Sequence, residues 1–412
     1  MKPKPLKRIE QFEKKAFGMF IHYGLYSQIE KGEWVKKLRN ISNEEYEKYF
    51  ESFTAANFNA EKIVLTAKNA GMKYITLTTR HHDGFSLYDT KGLNTYDAVH
   101  APKCGRDLVG EFCEECHKHG IMPMFYHTTI DWHEKSYRED FNAYLEYLRK
   151  SIEILCTSYG KIGGFWFDGN WEKPDADWKE DELYGTIRKY QPDAMIINNT
   201  GLNALGALGH KELDNVTFER GKPQPINMDG APKYLASEMC QILNDHWGYA
   251  AKDFNYKSTK DILEDLCVCR RYGANFLLNV GPRGDGSFAS MDEAIFEILG
   301  EWIQINGEAI YETRPCEIVS DGKDFVLQGK DGKYYLFVHD LVMCGDENVV
   351  KSGGMSKTVS LNNVPGECCE MKWLDNGKEV KFEQTGSNLI VKADPFLYGE
   401  NLVVRVAEIK FN

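Results

Sequence analysis

Residues 163–169 read GGFWFDG. Five residues without charge precede Asp168, and a strand of that composition is buried on both faces, as the strands of a parallel sheet are. Runs of the same kind recur along the chain: GMFIHYG (18–24), KYITLTT (73–79), IMPMFYH (121–127), DAMIINN (193–199), DNVTFER (214–220), YLASEMC (234–240) and ANFLLNVG (274–281). Between them lie stretches such as DLVGEFCEECHKHG (107–120), AYLEYLRKSIEILCTSYG (143–160) and KDILEDLCVCRRYG (260–273). Each has apolar residues three and four apart and a glycine where a helix would stop. Strands alternating with helices predict an α/β fold, either a (β/α)₈ TIM-like barrel or an open doubly wound sheet. The polar residues favour the barrel. His22, His81, His82, Tyr126, Asp168, Asn198, Asn199, Glu219 and Asn279 fall at or just after the C-terminal ends of the runs, and a barrel gathers such residues around one mouth.

After MDEAIFEILGEWIQINGEAIYETRP (291–315) the helical period ends. Short β-rich pieces follow, KYYLFVHD, TVSLNN, LIVKAD and NLVVRVAEIKF, separated by DG and NG turns. They predict a small antiparallel β-sandwich over 316–412, behind a catalytic barrel over 1–315. The chain has 412 residues, 42% of them apolar, which rules out disorder. Its 62 acidic and 50 basic side chains leave a charge of −12, a field that repels phosphate backbones, so no nucleic-acid partner is expected. No run reaches the roughly 18 apolar residues of a membrane span, and the basic start has no apolar signal core. With 11 cysteines, an odd number scattered through all element types, the chain is expected to be cytoplasmic with reduced thiols.

Burying Asp168 at the end of so apolar a run costs free energy unless it has a partner or a function. Its neighbours Trp166 and Trp171 suggest a platform for a sugar ring. The next strand-end carboxylate in a suitable context is Glu219, with Glu238 as its rival. Two carboxylates across a barrel mouth are the equipment of glycoside hydrolysis, one as nucleophile and one as proton donor. Adjacent histidines on an extended segment point to opposite sides, so His81 and His82 are poorly placed to share a metal and better suited to hydrogen-bonding vicinal hydroxyls. His22, Glu33 and Trp34 add to the same wall. Cys113, Cys116 and His117 match the CxxCH haem pattern but sit inside a helix with no second cysteine pair, and they are read as packing. NVGPRGDGSF (279–288) lacks the GK[ST] ending of a phosphate loop and is read as a tight turn.

FGMFIHYGLYS, TTRHHDGFSLYDT, GGFWFDG, DHWGY, NFLLNVGPRGDG and EWIQINGEAIYETRP, in this order, resemble the α-L-fucosidases of glycoside hydrolase family 29. The resemblance spans roughly residues 15 to 315 and implies a barrel followed by a β-sandwich. It further implies exo-acting, retaining removal of terminal α-L-fucose from fucosylated oligosaccharides or glycoconjugates, without metal or cofactor. Carried over by position, it makes Asp168 the nucleophile and Glu219 the general acid/base, Glu238 remaining the alternative. His22, Glu33, Trp34, His81, His82, Tyr126, Trp166 and Trp247 would line the fucose pocket. Two positions depart from the family pattern. Phe125 and Tyr126 stand where a tyrosine pair is common, and Asn198, Asn199 and Thr200 stand where an arginine is common. The rival readings are another retaining glycosidase, acting on a galactoside, and a carbohydrate-binding protein without turnover.

Overall fold

The eight apolar runs form one parallel sheet. The computed structural model describes residues 3–200, 202, 205–207, 209–226, 231–330, 332–345 and 354–412. The strands are β1 (Phe17–Ile21), β2 (Tyr74–Arg80), β3 (Met122–Thr128), β4 (Gly164–Asp168), β5 (Met195–Asn198), β6 (Asn215–Glu219), β7 (Ala236–Gln241) and β8 (Asn275–Val280). They are hydrogen-bonded in the order β5-β4-β3-β2-β1-β8-β7-β6, which is a TIM-like barrel closed except between β5 and β6. One backbone bond and a cluster of charged side chains hold that gap. Asp214, just before β6, bonds the backbone of Ile196 through both its N–H and its carboxylate. The same buried carboxylate takes two bonds of 2.9 Å from Arg8, one of 2.8 Å from Arg188 and a contact of 2.7 Å from Lys233. A buried carboxylate with three cations around it remains ionised, and losing one partner would leave charge uncompensated.

Helices separate the first five strands, as the periodicity predicts, including Ala60–Asn69, Leu108–His119, Phe141–Ser158 and Glu180–Tyr190. Leu108–His119 shows how the sequence sets its bounds. Asp107 caps it by accepting from Gly110 N–H at 2.9 Å, and Gly120 ends it at φ +70°, where a glycine carries no Cβ penalty. Cys113 and Cys116 lie on its buried face with Leu108, Val109 and Phe112. Among the described residues, no helix interrupts the connections from β5 to β6 or from β6 to β7. None of the described helices is long and apolar enough to cross a membrane.

The barrel interior is layered. The helix Lys7–Glu13 plugs the N-terminal end with Ile9 and Phe12, Phe12 packing on Tyr74 at 5.4 Å. Tyr74, Met124, Trp166 and Met195 continue the same buried cluster, and Phe20, Tyr126 and Trp247 complete it.

By its packing the chain divides into Met1–Lys257 with Asn275–Glu297, and Ser258–Ala274 with Ile298–Asn412. The second unit takes in the helix Thr259–Arg271, most of Ser290–Ile310 and the C-terminal strands. Those strands form two antiparallel sheets. One contains Val319–Ser320, Lys357–Asn362, Asn388–Ala393 and Lys381–Thr385; the other contains Cys368–Trp373, Arg405–Phe411, Lys333–Val338, Phe325–Gln328 and Arg314–Pro315. Leu336, Val359, Leu361, Met371, Trp373, Leu389, Val391 and Ile409 fill one core between them. Asn388–Ala393 alternates exposed and buried side chains as a sandwich strand does.

Candidate active site

Asp168 is the last residue of β4, and the chain turns at once because Gly169 adopts φ +127°. A Cβ there would meet Thr129 Oγ1 at 2.7 Å and Ile130 Cγ2 at 2.9 Å. The turn brings Trp171 back so that its indole N–H donates to Asp168 Oδ1 at 2.8 Å. Tyr126 O–H donates to Oδ2 at 3.1 Å, and His82 Nε2 lies 3.4 Å from the same oxygen. Burial alone would raise this carboxyl, but these donors outweigh it and hold Asp168 below the usual carboxylate range. Glu219 ends β6 in the same way and is followed by Arg220 at φ +53°. Burial, then the charge of Asp168, push Glu219 above its ordinary range, against a hydrogen bond from Asn199 and the charge of Arg220. The two carboxylates are thus separated in acidity. Asn199 Nδ2 sits between them, 3.3 Å from Asp168 Oδ1 and 2.6 Å from Glu219 Oε2.

Both carboxylates face a cavity of about 310 Å³ at the C-terminal ends of the strands. Of the residues expected from the sequence, His22, Glu33, Trp34, His81, Tyr126, Trp166 and Trp247 line it with them. His82 stands behind Asp168, its ring 5.4 Å from Trp34 and 5.5 Å from Trp132. The chain leaves the extended conformation after Arg80, so the rings of His81 and His82 lie 4.3 Å apart instead of on opposite sides. His22 Nδ1 is 2.7 Å from Asn279 Oδ1, and Asn279 donates its own amide to Trp247 O at 2.7 Å. The Asn279 oxygen can only accept, so His22 carries its proton on Nδ1 and leaves Nε2 as an acceptor. Burial lowers His22 to about 3, despite that bond and the charge of Asp168, and lowers His81 as well. Both imidazoles are neutral hydrogen-bonding groups at neutral pH. Glu33 accepts from the backbone N–H groups of Trp247 and Gly248 at 3.1 and 2.8 Å, which fixes the segment carrying Trp247.

Glu238 is elsewhere. It lies in the middle of β7, opposite Asn275, and is 1% exposed in the barrel interior. Tyr74 O–H donates to it at 2.6 Å and Trp166 Nε1–H at 3.0 Å, so neither oxygen lines the cavity. Burial raises Glu238 to about 7. A carboxyl raised on folding holds a proton that the unfolded chain has released, so its contribution to stability is lost as pH climbs from about 4.5 through 7. The size is roughly 3 kcal/mol. Glu238→Gln is therefore expected to come close to the wild type in urea stability at pH 4 and to exceed it by up to about 3 kcal/mol at pH 8. A difference that stays the same at both pH values would contradict this account.

Asn199, Trp171, Leu202 and Arg220 also line the cavity. The Arg220 guanidinium lies 5.6 Å from the Trp247 ring and its Nε 3.8 Å from Glu219 Oε1. The sequence marks Asn199 as a strand-end polar group and as one of the positions where the family commonly has an arginine, and it gives Arg220 no role in the pocket. A larger and more open hollow of about 680 Å³ borders Ala60–Asn69 and the loop at Gly286, and its Arg106 is already bonded to Glu111, Ala55 O and Phe58 O.

A barrel mouth that holds two carboxylates of opposed acidity among rings and neutral imidazoles has the apparatus of a glycoside hydrolase. More narrowly, the chain belongs to the α-L-fucosidase family, whose sequence profile matches residues 4–308. It is 29% identical over 348 residues to the tissue α-L-fucosidase of Mus musculus, covering 77% of this chain and 74% of the mouse protein. It is 28% identical over 340 residues to the tissue α-L-fucosidase of Homo sapiens, covering 74% and 70%. α-L-Fucosidase isoenzyme 1 from Paenibacillus thiaminolyticus superposes with a TM-score of 0.83 at 31% identity, covering 98% of this chain and 99% of that one.

Proposed function

We propose that the protein removes terminal α-L-fucose from fucosylated glycans with retention, through a covalent fucosyl-enzyme formed on Asp168. The observation that carries this reading is the carboxylate pair in the cavity. Asn199 Nδ2 lies 3.3 Å from Asp168 Oδ1 and 2.6 Å from Glu219 Oε2, which keeps these two facing oxygens close enough for the roughly 5–5.5 Å spacing of a retaining pair. In the first step ionised Asp168 attacks the anomeric carbon while Glu219 gives its proton to the departing oxygen. In the second, Glu219 takes a proton from water, and that water opens the ester at the anomeric carbon. The neutral His22 Nε2 accepts from a sugar hydroxyl, and the Trp247 ring suits the apolar methyl face of fucose. Glu238, bonded to Tyr74 and Trp166, has no part in the proton transfers. We place the enzyme in a reducing, cytoplasmic setting, since its eleven cysteines are all free thiols.

The test is the reaction itself, followed by proton NMR with an aryl α-L-fucoside and an aryl galactoside, each with and without chelator. The expected result is α-L-fucose as the first product, a much slower galactoside and no effect of the chelator. β-L-Fucose appearing first would defeat retention. A faster galactoside would favour the rival glycosidase, and no turnover of either would favour a binding protein.

A further inference from the structure

Resting on the retaining reading above, we propose that Asn199 is a positioning residue that joins the nucleophile and the acid/base into one unit. Its single amide nitrogen holds both carboxylates and fixes which oxygen of Glu219 carries the transferable proton.

The geometry leaves Asn199 little freedom. Its backbone N–H donates to Phe167 O on β4 at 2.8 Å, and its side-chain oxygen accepts from Thr217 Oγ1 on β6 at 3.2 Å. It therefore lies at the gap where, among the described residues, β5 and β6 are not paired as strands. It is 5% exposed. With its oxygen committed to Thr217, both N–H groups point to the carboxylates, 2.6 Å from Glu219 Oε2 and 3.3 Å from Asp168 Oδ1. A flipped amide would set its oxygen against two acceptor oxygens, so one orientation is imposed. An amide has two N–H groups and no charge at any working pH, which matches one donor to each acid without adding a third titrating group.

Two consequences follow for the reaction. Oε2 of Glu219 is occupied as an acceptor, so a protonated Glu219 carries its proton on Oε1. When Glu219 later acts as a base, the same N–H stabilises the anion. The groups that face Glu219 are Asp168 on β4, Tyr126 on β3, Cys240 on β7, Glu33 after β1, Arg220 beside it and Asn199. The charges of Asp168 and Glu33 favour the protonated form, and Asn199 and Arg220 favour the anion. Tyr126 and Cys240 are kept protonated by burial.

Asn199→Leu keeps the size and removes the donor. The kcat/KM profile of an aryl α-L-fucoside against pH is expected to move its alkaline limb up by about one pH unit, because the acid loses a bond that favours its anion. The acidic limb should rise by less, since His82, Tyr126 and Trp171 still hold Asp168. With a good leaving group, kcat should fall about tenfold to a hundredfold, the value of one hydrogen bond to a charged group. Thr217→Val, which leaves the amide in place but frees its oxygen, should shift the alkaline limb in the same direction by less, and it carries the test if Asn199→Leu does not fold. Variants whose limbs coincide with those of the wild type overturn the inference. Wild-type enzyme that fails to turn over the fucoside, or inverts it, defeats the underlying reading instead, so the two failures are distinct.

Discussion

Replacing Asp168 by alanine is expected to lower kcat/KM for an aryl α-L-fucoside on the order of 10⁴-fold or more, roughly 5.5 kcal/mol of transition-state stabilisation. The protein should still fold. The carboxylate is a buried anion at the cavity wall, its side chain 15% exposed, and the donors it releases, on Trp171, Tyr126 and Asn199, face a space that water can enter. Azide should restore turnover by occupying the space left by the carboxylate and attacking the anomeric carbon from the same face. The product is then β-L-fucosyl azide, inverted relative to the substrate, because one displacement has replaced two. Wild-type rates should also fall at low pH as Asp168 takes a proton. That limb lies below the ordinary carboxylate range, because the hydrogen bonds to Asp168 outweigh its burial. An alanine variant with substantial unaided activity, or one that azide cannot help, would remove Asp168 from the role of nucleophile.

How much of this was legible in the sequence depended on which contacts are local. Asp168, His22 and Tyr126 could be read because each ends or nearly ends an apolar run, and strand ends of a parallel barrel meet at one mouth. Trp171 was legible as a ring near Asp168, but its indole bond to the carboxylate depends on Gly169 at φ +127°, which no periodicity reports. Glu238 reads as a second candidate because the run 234–240 ends two residues beyond it. The strand begins at Ala236 and runs on to Gln241, which leaves Glu238 in mid-strand, inside the barrel and below the mouth. A strand that runs on to Gln241 thus leaves this carboxylate a core group instead of a wall group. Asn199 was the hardest to read. Its partners come from β4 and β6, 31 and 20 residues away, and meet at the gap where β5 and β6 are not paired as strands. The paired orientation of His81 and His82 was hidden for a similar reason, since the strand period stops at Arg80 and the following turn sets the rings.

Glu219→Ala separates the two chemical steps, and its effect depends on the leaving group. An aryl fucoside whose phenol departs readily needs little protonation, so the first displacement should proceed at nearly the wild-type rate. The second step needs a base to activate water, and general base catalysis of this kind is worth about 10²- to 10⁴-fold. The fucosyl-enzyme should therefore accumulate. The signature is a burst of phenol equal to the enzyme present, followed by a slow steady state with kcat and KM lowered together. A fucoside with a poor leaving group should lose a similar factor in the first step and show no burst. Azide should accelerate the slow phase by attacking the trapped ester, and two displacements then give α-L-fucosyl azide, the opposite anomer to that from Asp168→Ala. The alkaline limb of kcat/KM should vanish, because Glu219, raised by burial and by the charge of Asp168, is the group whose proton loss creates it. Glu238→Ala should show neither burst nor azide rescue, as its carboxyl is engaged by Tyr74 and Trp166 inside the barrel. If Glu238→Ala gave the burst and Glu219→Ala did not, the two glutamates would exchange roles, and the acid would have to reach the sugar from beneath the cavity floor.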